Sequence, residues 1–206
     1  MRGRFITLEG GEGSGKSTQA RRIAAALTDA GLPVLLTREP GGSAAAEAIR
    51  RLVLAGRGLD PVAEAMLMFA ARREHVQASI RPALAAGMVV VCDRFADSTR
   101  AYQCHGQGVP MPVFEALAPL ALEGLAPDLT LVFDIDPAQG LARAGSRGLA
   151  ADRFEGLDLA FHARVRAGFL AIAAAEPSRC AVLDAARPVD QVAAAVRAIL
   201  SDRLGL

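Results

Sequence analysis

The chain predicts an α/β fold, a doubly wound parallel sheet with helices on both faces. Two patterns predict it. Short apolar runs alternate with longer stretches of helical spacing, and the runs are near-continuous in Val, Leu and Ile, as expected of strands covered on both faces. The first run also passes through a glycine-rich loop straight into a helix.

Taken in order, Arg4–Glu9 predicts the first strand, and 10–17 the loop. Ser17–Ala30 predicts a helix, with Ile23 and Leu27 on one face and Gly31 as its stop signal. Further strands are expected at Pro33–Thr37, Met88–Asp93, Asp128–Asp134 and Arg179–Asp184. Helices are expected at Ser43–Ala55, Val62–Ala86, Pro112–Leu122, Pro137–Arg147 and Asp158–Ala175. The last helix, Pro188–Leu204, carries Val189, Val192, Val196, Ile199 and Leu200 at helical spacing, with Pro188 suited to its first turn. No repeat, low-complexity tract or linker divides the chain, so 1–206 reads as a single domain.

Composition narrows the function. A length of 206 residues is enough for a full core without metals or disulfides. The net charge of +1 implies no broad basic surface for nucleic acid. The three cysteines, Cys92, Cys104 and Cys180, have no metal-ligand spacing and fit a reducing compartment; Cys92 and Cys180 read as core residues. No run is long enough to span a bilayer and no leader is evident, so a cytoplasmic protein without a membrane partner is expected. His75, His105 and His162 lack ligand spacing and read as surface or satisfied residues.

The chemistry begins at Gly10-Gly11-Glu12-Gly13-Ser14-Gly15-Lys16-Ser17, which fits G-x-x-x-x-G-K-[ST], a phosphate-binding loop. Its glycines let successive N–H groups face a phosphate, and the helix that follows adds free N–H groups and the positive end of its dipole. Lys16, the only lysine in the chain, supplies a compact point charge between the β- and γ-phosphates. The Ser17 hydroxyl is placed to ligate Mg²⁺, and Thr18 completes the ATP-binding run. A guanine-reading switch protein is excluded, because its Asn-Lys-x-Asp motif needs a second lysine.

A second group of residues falls after strand ends, where an α/β enzyme places its site. It comprises Arg38-Glu39-Pro40-Gly41-Gly42, Asp93-Arg94-Phe95, and Phe69-Ala70-Ala71-Arg72 on the long helix. With Leu8-Glu9-Gly10-Gly11-Glu12-Gly13, Ser98-Thr99-Arg100-Ala101-Tyr102-Gln103, Pro127-Asp128-Leu129-Thr130 and Asp184-Ala185, the chain resembles the thymidylate kinase family in order and over nearly its whole length.

The resemblance implies a five-stranded parallel sheet in the order 2-3-1-4-5, the P-loop NTPase arrangement, and transfer of the γ-phosphate of ATP to dTMP. It implies Phe69 stacked on thymine, Arg72 donating to the exocyclic oxygen, Thr99 at the ring N–H, and Tyr102 under the deoxyribose where it would crowd a 2′-hydroxyl. Gln103 falls in the same dTMP-binding run. Glu12 would accept from the 3′-hydroxyl, and Arg38, Arg50 and Arg94 would hold the acceptor phosphate, although Arg51 beside Arg50 makes one of that pair a solvated residue. Asp93 would position Mg²⁺ with Ser17, and Arg94 would bridge the acceptor and transferring phosphates. Gly13 stands where some relatives carry a loop arginine. The late positive charge is therefore expected from a lid at about 143–156, through Arg143, Arg147 or Arg153, with no choice among them. Arg100 and Cys104 depart from the family pattern; Arg100 is expected to face solvent, and Cys104 to be a partly exposed thiol near the base pocket. The resemblance also implies a homodimer through the long helices. A kinase on the same fold acting on dUMP, CMP or a deoxynucleoside, or a nucleotide-binding protein without catalysis, would share most of these features.

Overall fold

The computed structural model describes residues 3–55, 58–146 and 153–206. The five strands are β1 (Phe5–Gly10), β2 (Val34–Arg38), β3 (Val89–Asp93), β4 (Leu129–Asp134) and β5 (Cys180–Asp184). Every pairing is parallel and the order is β2-β3-β1-β4-β5, as the family resemblance implied. Central β1 and β4 are almost wholly buried apolar runs, because helices cover both faces. Edge strand β2 departs from the expectation of two-sided burial: Leu36 is 42% exposed, with no neighbour beyond it.

Alternation along β1 sorts the layers. Ile6 and Leu8 join α1 (Lys16–Asp29) and α9 (Val189–Leu204) in one core, through Ile23, Leu27, Val192 and Val196. Phe5 faces the opposite layer, with Val76, Ile80, Leu84 and Phe95. This layer is built on α3 (Pro61–His75), a π-helical turn over Val76–Ile80, and α4 (Arg81–Ala85), the single long helix expected from the sequence with a register slip inside it. The remaining helices are α2 (Ala44–Ala55), α5 (Ala96–Thr99), α6 (Met111–Leu122), α7 (Pro137–Gly145) and α8 (Leu159–Ala175).

One helical stretch had no sequence signal. Residues 96–106 form α5 and a second π-helical turn, Arg100–Gly106. Ala101, Tyr102, Gln103 and Cys104 are buried in succession, because α8 packs on one side while the ligand cavity and α6 lie on others. A segment buried all round shows no 3.6-residue stripe. Cys104 is therefore not a partly exposed thiol; it packs with Ala65 and Val109. Arg100 does not face solvent freely either, since it pairs with Glu176 at 2.8 Å and lies 5.7 Å from the Phe114 ring.

The same layer carries a buried polar seam that fixes this segment to the sheet. Arg179, at the start of β5, donates to both oxygens of Asp97 at 2.6 and 3.0 Å and to Thr130 Oγ1 at 2.8 Å; Thr130 in turn meets Thr7 at 2.8 Å. The carboxyl ends of the strands, with α5 beside them, form the floor of the site. Among the described residues, no helix is long and apolar enough to cross a membrane.

Candidate active site

β1 delivers the phosphate loop to the top of the sheet. Gly15 turns left-handed at φ 86° just before α1, and no side chain caps the first turn of that helix, so its leading N–H groups are available to an anion. Gly13 has a stricter reason to be glycine. At φ 66°, a Cβ there would stand 1.9 Å from the carbonyl oxygen of Gly140 on α7. No arginine can occupy position 13 unless α7 moves, which explains why this loop carries none. Lys16 is buried and its ammonium donates to Gly11 O at 2.6 Å and to Ser14 Oγ at 3.0 Å. Burial, with Arg94 nearby, lowers its pKa to about 8.

β3 brings the acceptor machinery alongside, because it pairs with β1 in the sheet. Asp93 Oδ2 accepts from Ser17 Oγ at 2.5 Å, uniting the two expected metal ligands. Arg94 takes the left-handed backbone conformation, φ 72°, which is unfavourable for a side chain of this size. The cost is offset by what the guanidinium then reaches: Glu12 Oε1 at 2.7 Å, Tyr102 Oη at 3.0 Å and Gly10 O at 3.1 Å. Burial opposes its charge, but Tyr102, Glu12, Asp93 and Glu9 outweigh that and hold its pKa above the ordinary arginine range. Burial likewise opposes charge on Glu12; Arg94 and Lys16 overcome it and bring that carboxyl down to about 2. Glu12 is therefore ionised at neutral pH, and Tyr102 donates to it at 2.6 Å. Beneath them Glu9 is fully buried, accepting from Phe95 N at 2.7 Å and Ser98 Oγ at 2.6 Å. Burial and then Asp97 push its carboxyl up to about 8.

These residues share one cavity of about 500 Å³ with the base-side group. Arg72 and Thr99 line it, joined by two bonds of 3.2 Å from the guanidinium to Thr99 Oγ1. Arg38 and Arg50 line it too; Arg38 meets Glu47 at 3.1 Å and Arg50 donates to Pro40 O at 2.8 Å. Gln103 reaches the wall, but its amide donates to the buried Glu64 at 2.8 Å.

Two expectations change. Phe69 is not among the described residues of the cavity wall; it packs edge-on against Phe114 at 5.3 Å in the α3–α6 core, and Met68 lines the cavity instead. The reason is helical geometry: Met68 and Arg72 are four residues apart and project the same way, whereas Phe69 is turned by about 100° from Met68. That spacing was the signal available in the sequence. The lid arginines also separate. Arg143 lines the cavity from the last turn of α7, but donates to Ala185 O at 2.7 Å and Ala186 O at 2.8 Å, bracing the β5–α9 loop. Arg153 pairs with Glu64 on α3, away from the phosphate loop, because a carboxylate with no exposure requires a cation. Arg147 lies outside the described residues.

The arrangement brings a phosphate loop, an ionisable lysine, a serine–aspartate pair and several arginines to one cavity whose far wall can read a planar ligand. Known proteins are similar to this chain over nearly its whole length. The chain matches the family model of thymidylate kinase over residues 8–196. It is 54% identical over 206 residues to the thymidylate kinase of Caulobacter vibrioides, covering 99% of both chains. It is 51% identical over 208 residues to that of Solidesulfovibrio magneticus, covering 97% of this chain and 100% of the relative. The crystal structure of thymidylate kinase from Ehrlichia chaffeensis superposes with a TM-score of 0.79 at 35% identity, covering 97% of this chain and 99% of that one. On sequence, topology and the construction of the loop, this chain belongs to the thymidylate kinase family.

Proposed function

We propose that the chain transfers the γ-phosphate of ATP to dTMP, giving dTDP and ADP for dTTP synthesis, within the cavity at the top of the sheet. The observation that carries this reading is that one cavity holds both Lys16 with its loop and the Arg72–Thr99 pair, with Arg94 between them. A donor and an acceptor nucleotide can meet there end to end.

The loop from Gly10 to Thr18 receives the ATP phosphates, and Lys16 turns from its loop contacts to the β- and γ-phosphates. Arg94, Arg38 and Arg50 hold the phosphate of dTMP, with Arg94 also touching the group in flight. Glu12 and Tyr102 meet the sugar. Arg72 and Thr99 read the base, Met68 packs against it, and Gln103 stays tied to Glu64 behind them. Because such transfer is mainly alignment and neutralisation of charge, a rigid set of cations is the principal requirement.

Ser17 and Asp93 fit Mg²⁺: they are oxygen donors in contact on the cavity wall, and the described residues contain no three-carboxylate, histidine or cysteine cage. Ser17 and Asp93 would hold the ion, and it would supply positive charge to offset that of the ATP phosphates. The proposed setting is the cytoplasm, with ATP and dTMP as partners and no nucleic acid or membrane.

An acceptor panel tests the function. With ATP and Mg²⁺, ADP formation should be fastest with dTMP, slower with dUMP, and near background with dCMP and thymidine. A preference for dCMP or thymidine would refute the base reading, and ATP binding without transfer to any of them would refute the kinase.

The lid supplies the late charge. Of Arg143, Arg147 and Arg153, Arg147 is the one proposed for the transferring phosphate, a choice supported by the contacts of Arg143 with Ala185 O and of Arg153 with Glu64. Arg147→Ala should lower kcat on the order of 10³-fold with little change in the KM for ATP. Arg153→Ala should instead lower thermal stability, since it strands Glu64. Wild-type turnover in Arg147→Ala would remove the lid from the mechanism, and a large kcat loss in Arg153→Ala at unchanged melting temperature would return that residue to the phosphates.

A homodimer through α3 and α6 is also proposed. Met66 on α3 is 52% exposed and Leu120 on α6 is 71% exposed, an apolar surface that a second copy would cover. Sedimentation should give twice the 21.4 kDa chain mass, and Leu120→Glu should give the monomer. A monomeric wild-type protein, or an unaffected variant, would contradict this interface.

A further inference from the structure

Behind Arg72 and Thr99 lies a buried hydrogen-bonded chain. It begins at Thr37 on β2, whose hydroxyl lies 2.7 Å from His75 Nε2. His75 Nδ1 lies 3.0 Å from Glu39 Oε1, and the other oxygen, Oε2, accepts from Arg72 Nε at 2.7 Å. His75 has no exposure, and Glu39 and Arg72 are 4% and 3% exposed. We propose that His75 is a positioning residue for substrate choice: through Glu39 it fixes the orientation in which Arg72 reads the base. The proposal rests on Arg72 as the base reader.

The bonding pattern fixes the donors around Arg72 and Glu39. Arg72 has five N–H donors and no acceptor. Four are engaged: Nε with Glu39, one on NH2 with Phe95 O at 3.0 Å, and one each on NH1 and NH2 with Thr99 Oγ1. The fifth, on NH1, remains for a ligand carbonyl in the cavity that Arg72 lines. Its direction is set by the rotation of the whole planar group, and Glu39 sets that rotation through Nε.

Glu39 can hold the group only if its own rotation is fixed. An ionised carboxylate is acceptor-only, so the hydrogen between Glu39 Oε1 and His75 sits on Nδ1. The other ring nitrogen, Nε2, meets the Thr37 hydroxyl at 2.7 Å, and either atom can supply the hydrogen between them. The ring cannot drift, because a Cβ at Gly42 would be 2.2 Å from Nε2, which shows how closely the loop after β2 covers it. One carboxylate thus gathers a guanidinium on one oxygen and a ring N–H on the other. That ring N–H separates His75 from a core residue of equal size. A leucine would fill the space but leave Oε1 buried without a donor.

Three variants test the proposal against the plain packing role. His75→Leu removes the donor to Glu39. His75→Asn places an amide N–H near the position of Nδ1 and restores it. Arg72→Ala tests the underlying base-reading assignment. In His75→Leu the KM for dTMP should rise on the order of tenfold, as expected from one buried oxygen left without its donor. The preference for dTMP over dCMP should shrink in parallel, while kcat and the KM for ATP stay within about threefold of wild type. His75→Asn should recover most of the loss.

Should the leucine variant fail to fold, Thr37→Val, which releases the far ring nitrogen, should raise the dTMP KM about threefold with ATP unaffected. A long-range ¹⁵N–¹H spectrum of the wild type should also show the His75 ring carrying a hydrogen on Nδ1. Unchanged dTMP KM and base preference in both His75→Leu and Thr37→Val would overturn the proposal, as would equal rises in the KM for dTMP and ATP, or a ring without a hydrogen on Nδ1. If Arg72→Ala itself leaves dTMP discrimination intact, the base-reading assignment fails instead, whatever His75 does.

Discussion

The contact between Arg94 and Glu12 joins the end of β3 to the loop after β1, and it places a buried cation where two phosphates are proposed to meet. Burial works against the charge of both partners, and each favours the charge of the other, with Lys16 and Tyr102 reinforcing the carboxylate. The left-handed turn at Arg94 persists because the surrounding bonds over-determine it, with Glu9 clamping Phe95 and Ser98 immediately after it. The guanidinium is thus set without a nucleotide present, and little reorganisation would be left for the proposed transfer.

The acceptor side repeats the device with different residues. Glu39 joins Arg72 to His75, and Glu64 joins Gln103, Gln107 and Arg153. Each carboxylate is buried on one element and gathers donors from others. A fully satisfied buried network is rigid, and a partly satisfied one is costly. Rigidity suits base reading, where a misplaced donor loses the distinction between a carbonyl and an amine. The Glu64 group also ties Arg153 to α3.

Much of this was legible in the sequence where a pattern has one physical cause. The apolar runs at Ile6 and Leu131 and the helical stripe at Val192 and Val196 each report burial on a sheet or a single face, so the elements and their order followed. The loop was legible because Gly13 and Lys16 answer to a phosphate and to one another. Residues 96–106 were not, since burial on several sides erases periodicity. Leu36 at the sheet edge looks like any interior strand residue, because its exposure depends on a neighbour that is absent. Met68 was hidden by its more conspicuous neighbour Phe69, although its four-residue spacing from Arg72 held the information. The pairing of Arg153 with Glu64 was not legible either, because the two lie far apart in the chain.

The central claim is that the Arg94 guanidinium, fixed by Glu12, stabilises the phosphoryl group as it crosses. Steady-state kinetics of Arg94→Ala with ATP, Mg²⁺ and dTMP tests it most directly, with the KM for ATP measured alongside. The account predicts a fall in kcat on the order of 10³-fold, while the KM for ATP stays within a few-fold of wild type. Turnover above about a tenth of wild type would contradict it, because no other cation is assigned to both phosphates.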